Sequence, residues 1–202
     1  MEIKGEKNSS FKNKDIKKNI YSAEVGQIIK DKTLESKIDA LLTNLGGMDY
    51  KQVVLNTYKS IGKNSNGRCS EINKIKAIVY QTLKKKGVPV LLRDFSEENT
   101  TKTRILKFIY KNFKHCEVSR DYILNLQERI VGHLVTNGFK VENKLSTEKI
   151  DQIRRGVLHG ENILAFFLSD KFCVPLFNKY DISYFCSYKS LWRVVNKNRE
   201  NF

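Results

Sequence analysis

The stretch SEINKIKAIVYQTLKKKG, residues 70–87, indicates how this chain folds. Its apolar residues recur every three or four positions and line one face of a helix: Ile72, Ile75, Val79 and Leu83. Ser70 is a residue type that caps helix starts, lysines fill the last turn, and Gly87 is typical of a helix end. The segment therefore predicts one complete amphipathic helix.

Similar patterns on both sides of this segment predict a mainly α fold. Further helices are expected up to Gly46, after Asp49, from about Lys102 to Lys114, from Ser119 to Asn137, after Ser146 and from about Ser187 to Asn198. A short apolar run at residues 88–92 and a weak alternation of apolar and polar residues at residues 139–145 are candidate strands. We therefore expect helical domains with at most a short β element.

The chain divides into three predicted parts. Residues 1–21 carry six lysines against three acidic residues, with few large apolar side chains, which is typical of a flexible basic arm. An acidic loop at residues 96–101 marks the predicted hinge. Helical domains are therefore expected over residues 22–95 and 96–202.

The charge of the chain points to a polyanion as partner. Its 202 residues include 37 Lys+Arg against 22 Asp+Glu, a formal charge of +15. Nucleic acid is the natural partner of such an excess. A membrane surface is the alternative, but the sequence shows no lipidation motif and no long apolar run. Without a secretory signal, the expected location is cytoplasmic, with the four cysteines as free thiols.

Signatures of enzymes are missing from the sequence. It contains no phosphate-binding glycine loop, no nucleophile elbow and no zinc-type cysteine spacing. Cys116 with His133 or His159 is the one nucleophilic pair that can be drawn, and its spacing gives it no support. We expect neither an enzyme nor a cofactor or metal site.

One predicted helix, near residues 102–114, carries a one-sided row of basic residues: Arg104, Lys107, Lys111 and Lys114. Like charges at this spacing repel by about 0.2–0.5 kcal/mol per pair. A helix that carries these like charges on one face is suited to bind an external anion such as a phosphate backbone. The alternative is the ordinary solvated face of a lysine-rich protein.

This helix, a short turn and the next helix resemble a helix-turn-helix unit, in which the second helix enters the major groove. The groove-facing candidates are residue types that bond base edges: Arg120, Asn125, Gln127, Glu128 and Arg129. Two neighbouring helices of an ordinary bundle are the alternative.

A second basic row lies in SYKSLWRVVNKNR, residues 187–199, and consists of Lys189, Arg193 and Lys197. Tyr184, Tyr188 and Trp192 interleave with these charges, and their rings can stack on bases or sugars. The alternative is that Trp192 anchors the core and leaves one edge of its ring exposed to water.

The stretch from Leu41 to Cys116 includes MDYKQVVLNTYKSIGK and INKIKAIVYQTLKKKGVPVLLRDFSEENTTKTRILKFIYKNF. It resembles the plasmid partition protein family of Lyme and relapsing-fever spirochaetes. The resemblance implies a cassette in which a ParA-type ATPase works with small partner proteins. This chain would then be a ParB-like or accessory partner that binds the plasmid partition site.

The sequence departs from that family pattern in two respects. The arginine-rich CTP-binding box of long ParB proteins is missing, which favours a small site-specific DNA binder or an adaptor. Many partners stimulate the ATPase through an arginine in an N-terminal basic segment, whereas the first arginine here is Arg68. In the arm, only lysines could contribute to stimulation of the ATPase: Lys12, Lys14, Lys17 and Lys18.

Three functions follow as hypotheses. The leading one is a DNA-binding partition or replication accessory protein, expected to be a homodimer because two-fold binders read repeated sites. The second is a protein adaptor of the ATPase with weak or no specific DNA binding. The third, an RNA-binding protein, calls for aromatic residues on a sheet, and the sequence indicates too little strand.

Overall fold

A computed structural model describes residues 33–62, 69–113, 118–156 and 158–199. This part of the chain is mainly helical and contains no strand, which confirms the predicted fold class. The helices are α1 (residues 33–44), α2 (Lys51–Thr57), α3 (Glu71–Lys85), α4 (Asn99–Asn112), α5 (Arg120–Thr136), α6 (Thr147–Arg155), α7 (His159–Leu168), α8 (Val174–Lys179) and α9 (Tyr188–Arg199). The predicted arm at residues 1–21 lies outside the described residues, and so do its partner-binding candidates Lys12, Lys14, Lys17 and Lys18.

The two candidate strands are irregular segments. Residues 88–91 lead into a 3₁₀ turn at Leu92–Phe95, and residues 139–146 have no regular structure. Their backbone groups find local or side-chain partners instead of a neighbouring strand. The Leu91 N–H donates to Asp94 at 2.7 Å, and the Leu145 N–H donates to Gln127 at 3.2 Å.

Several predicted helix ends agree with the structure, whereas α4 begins at Asn99 rather than near Lys102. The Ser119 hydroxyl accepts a hydrogen bond from the Tyr122 N–H at the start of α5, and Ser146 caps α6 in the same way. Ser70 occupies the position before α3, although its side chain makes no capping bond. Gly87, just past α3, has a φ of 85°, a left-handed conformation that glycine adopts without strain.

The first hydrophobic core lies between α1, α2, α3 and α4. Helix α3 packs against α2 and α4, and its predicted apolar stripe points inward except for Ile72, which is exposed. The fully buried side chains of this core include Ile38, Leu42, Val54, Ile75, Ile78, Val79, Leu83 and Ile105.

The second core is built around α5. This helix packs against α6 and α7, and α7 packs against α9. The buried side chains of this core include Ile123, Leu126, Ile130, Leu134, Ile163, Leu164, Leu168, Ile182 and Leu191.

Helices α4 and α5 therefore bury their apolar faces in different cores. Ile105 and Phe108 of α4 lie in the first core, whereas Ile123 and Leu126 of α5 lie in the second. This corrects the expectation of a helix-turn-helix unit, whose two helices share one core. The division between the cores also falls after α4, rather than between residues 95 and 96. The reason is that the apolar face of α4 is complementary to α3, which precedes the predicted hinge.

A junction of polar contacts joins the two cores. The connector after α3 offers carbonyls to α5: Gly87 O accepts from Asn125 at 2.8 Å, and Val90 O accepts from the Tyr122 hydroxyl at 3.2 Å. The Lys84 ammonium lies 5.2 Å from the centre of the Tyr122 ring, a cation–π distance. Side chains of α5 thus donate hydrogen bonds to backbone carbonyls that lie beside the first core.

His159 is buried near this junction. Its ring lies 5.7 Å from that of Tyr122, and its Nε2 atom has no hydrogen-bond partner among the described residues. Burial lowers the pKa of His159 to about 4, and the positive charge of Lys84 contributes to the shift. The imidazole is therefore neutral near pH 7.

Candidate nucleic-acid interface

Helix α4 presents the predicted basic row to solvent. Arg104, Lys107 and Lys111 are all exposed, while Lys114 lies outside the described residues. In an α-helix the three positions fall within about 60° of one another around the axis and span about 10 Å along it. That length matches about three phosphate-to-phosphate steps of one DNA strand, each of which rises about 3.4 Å along the duplex axis.

The row has no acidic counterpart on its own helix. Residues 99–112 contain Lys102, Arg104, Lys107 and Lys111 but no Asp or Glu. Elsewhere basic side chains do pair with carboxylates, as Lys51 does with Asp39 at 2.9 Å. Within the described ranges, Arg104, Lys107 and Lys111 form no such ion pair. Their charge is therefore available to a ligand.

The acidic residue immediately before α4 accepts hydrogen bonds from two hydroxyl groups. Glu98, immediately before α4, accepts hydrogen bonds from Thr100 at 2.6 Å and Thr101 at 2.7 Å. These bonds lower the pKa of Glu98, and the positive charge of Arg104 lowers it further. The carboxylate thus stays ionised at the helix start, where the helix dipole favours negative charge.

An exposed aromatic ring stands beside the row. Tyr110 is 58% exposed and lies one turn after Lys107. A ring in this position can contact a sugar or an unstacked base next to phosphates held by the lysines. Sequence reasoning did not single out Tyr110, although its spacing from Lys107 was a sufficient signal.

Four of the five candidates on α5 have structural partners: Arg120, Asn125, Gln127 and Arg129. Gln127 is only 6% exposed, and its side-chain oxygen accepts the hydrogen bond from the Leu145 N–H. The Asn125 amide holds the Gly87 carbonyl, and Arg120 donates to the Thr147 hydroxyl at 3.1 Å. The prediction that Gln127 faces a groove is therefore wrong, because its amide is needed inside the protein.

Arg129 is also committed inside the protein. Its guanidinium donates to both oxygens of Asp94 at 2.7 and 2.8 Å, to Pro89 O at 2.6 Å and to the Tyr184 hydroxyl at 2.5 Å. The side chains of Arg129 and Asp94 are 27% and 11% exposed. This corrects the assignment of Arg129 to base recognition: it is the centre of the junction. The partners lie far apart in sequence, so no local pattern could have revealed them.

The C-terminal basic row differs from that on α4. Lys189, Arg193 and Lys197 are exposed as predicted, and α9 also contains no acidic residue. Trp192 is 51% exposed, so a large part of this residue is in contact with solvent. The α9 surface thus combines positive charge with a large apolar side chain.

No protein-family model, curated protein or solved structure matches this chain. Function is therefore inferred from the site itself, since a helical fold alone does not determine it. In the described part of the chain, no helix has both the length and the apolar character needed to cross a membrane.

Proposed function

We propose that this chain is a DNA-binding accessory protein of plasmid partition or replication that acts with a ParA-type ATPase. The observation that carries the proposal is the exposed row of Arg104, Lys107 and Lys111 on a helix without acidic residues. The row lies within the stretch from Leu41 to Cys116 that resembles spirochaete plasmid partition proteins. The excess of 37 Lys+Arg over 22 Asp+Glu agrees with a polyanionic partner.

The row is suited to phosphates rather than to base edges. Three charged groups on one helical face can each replace a counterion on the DNA backbone. Such contacts position a protein on the duplex but read no sequence. Since Gln127 and Arg129 are committed elsewhere, side chains beside the row become candidates for base recognition, among them Tyr110, which is 58% exposed.

The salt dependence of duplex binding tests this proposal. Three phosphate contacts give a slope of log K against log salt of about −2.7, and Lys107→Gln with Lys111→Gln should reduce its magnitude by about 1.8. The matched control is Lys140→Gln with Lys144→Gln, which removes the same charge from exposed positions in residues 139–146. Fluorescence anisotropy with labelled duplex measures both.

Two outcomes would contradict the proposal. An equal change of slope in both double variants would mean that total charge, not the α4 row, determines binding. Complete loss of preference for the upstream DNA of the chain's own gene, when competitor DNA is added, would remove the site-specific part of the function.

A protein adaptor of the ATPase is the second candidate. The observation that favours it is the exposed Trp192 on α9, because tryptophan is enriched at the centres of protein interfaces. Co-purification with the ATPase, together with its ATP turnover, tests this role. Deleting residues 1–21 in the same assay tests whether Lys12, Lys14, Lys17 and Lys18 contribute.

A further inference from the structure

Helix α9 and the start of α8 both expose apolar side chains, and ring contacts of Tyr188 connect the two segments. Trp192 is 51% exposed, Val174 50% and Tyr188 36%. The Tyr188 ring lies 5.5 Å from the ring centres of Phe172 and Phe177, which flank Val174 in sequence. Trp192 follows Tyr188 by one helical turn on the same face. We refer to Phe172, Val174, Tyr188 and Trp192 as the apolar platform.

Positive charge accompanies the platform. Lys189, Arg193 and Lys197 are exposed on α9, and neither α8 nor α9 contains an acidic residue. An apolar centre beside the exposed positive charges of α9 favours a partner that is apolar in its middle and acidic at its rim.

The apolar content of the platform favours protein over nucleic acid. A base can stack on Trp192 or Tyr188, but the branched aliphatic side chain of Val174 has no ring face to offer. Covering it requires apolar groups of similar shape. Tryptophan, tyrosine and arginine are the residues most enriched at the centres of protein interfaces, and all three are present here.

The charge also argues against two other occupants. A second copy that bound through this face would bring two basic rows together. Residues 1–21 of this chain carry six lysines against three acidic residues, so they too have the wrong sign.

We propose that the apolar platform binds an acidic segment of a partner protein. Apolar side chains of the segment cover Trp192 and Val174, and its carboxylates pair with Lys189 and Arg193. This surface is separate from the α4 row and does not depend on DNA binding.

A display library of random peptides, with the full-length chain as bait, tests this surface. We expect the enriched peptides to be acidic and to carry apolar residues at helical spacing. Fluorescence anisotropy with an enriched, labelled peptide should show affinity reduced about tenfold or more by Trp192→Ala. Lys189→Gln with Arg193→Gln, which touches only exposed positions, should weaken it in the same direction. The matched control, Lys140→Gln with Lys144→Gln, should stay within about twofold.

Other outcomes would overturn the proposal. They are an absence of enriched peptides, enrichment of basic or uncharged peptides, and equal affinity for wild type and Trp192→Ala. Duplex binding measured in parallel separates this proposal from DNA binding by α4. A loss of duplex affinity in Trp192→Ala would assign the platform to nucleic acid, and a dimer that Trp192→Ala dissociates would assign it to a second copy.

Discussion

Replacing Arg129 by Gln should destabilise the protein far more than its position on a helix surface suggests. The guanidinium makes two bonds to Asp94 and one each to Pro89 O and Tyr184. Removing one partner of a buried ion pair costs about 3–5 kcal/mol. Because the pair keeps partial contact with water, we take the lower end, about 3 kcal/mol, or a melting temperature about 6–12 °C lower.

Urea denaturation followed by circular dichroism measures this loss. Arg193→Gln is the matched control, since Arg193 is exposed and its replacement should change the free energy of unfolding by less than about 0.5 kcal/mol. A double-mutant cycle with Asp94→Asn should give a coupling energy above about 1 kcal/mol. A loss below about 0.5 kcal/mol for Arg129→Gln, or additive effects in the cycle, would refute the role assigned to Arg129.

Three further predictions concern the same fold. Gly87→Ala should lower the free energy of unfolding by about 1–2 kcal/mol in urea denaturation, because Gly87 has a φ of 85° and its new Cβ would lie 3.1 Å from the Asp121 Cβ. Ser119→Ala removes the cap of α5 and should cost about 1 kcal/mol by the same measurement, whereas Ser119→Asp should restore most of it. His159 has its folded pKa lowered from 6.5 to about 4 by burial and then by Lys84, so the unfolded chain takes up its proton first as pH falls. Wild type should therefore lose up to about 3 kcal/mol between pH 6.5 and pH 4, a loss that His159→Gln should not show in urea titrations at each pH.

The sequence predicted local structure well because local signals determine it. Hydroxyl caps at Ser119 and Ser146 and the glycine at position 87 mark real helix ends. The grouping of helices into cores was not predictable in this way. Helix α4 follows an acidic loop that resembles a hinge, yet its apolar face packs against α3. This pairing depends on how the side chains fit together in three dimensions, which the sequence pattern does not show.

The candidate site could be predicted only in part, because the sequence reveals local spacing but not contacts between distant residues. The row on α4 depends on helical spacing alone, so its exposed positions could be read from sequence. Gln127 and Arg129 have the residue types of base readers, but their actual partners, Leu145 and Asp94, lie 18 and 35 residues away. Polar residues on a helix therefore identify a binding face only when they form no hydrogen bond with a backbone or carboxylate group far away in the sequence.

The bonds between the two cores also govern how the protein unfolds. If the first core opened alone, the Tyr122 hydroxyl would lose the Val90 carbonyl, and each buried polar group left without a partner costs about 1–3 kcal/mol. The cores are therefore expected to unfold cooperatively. A polyanion bound only to α4 would then, by mass action, slow hydrogen exchange at amides of α7 and α9, which it never touches.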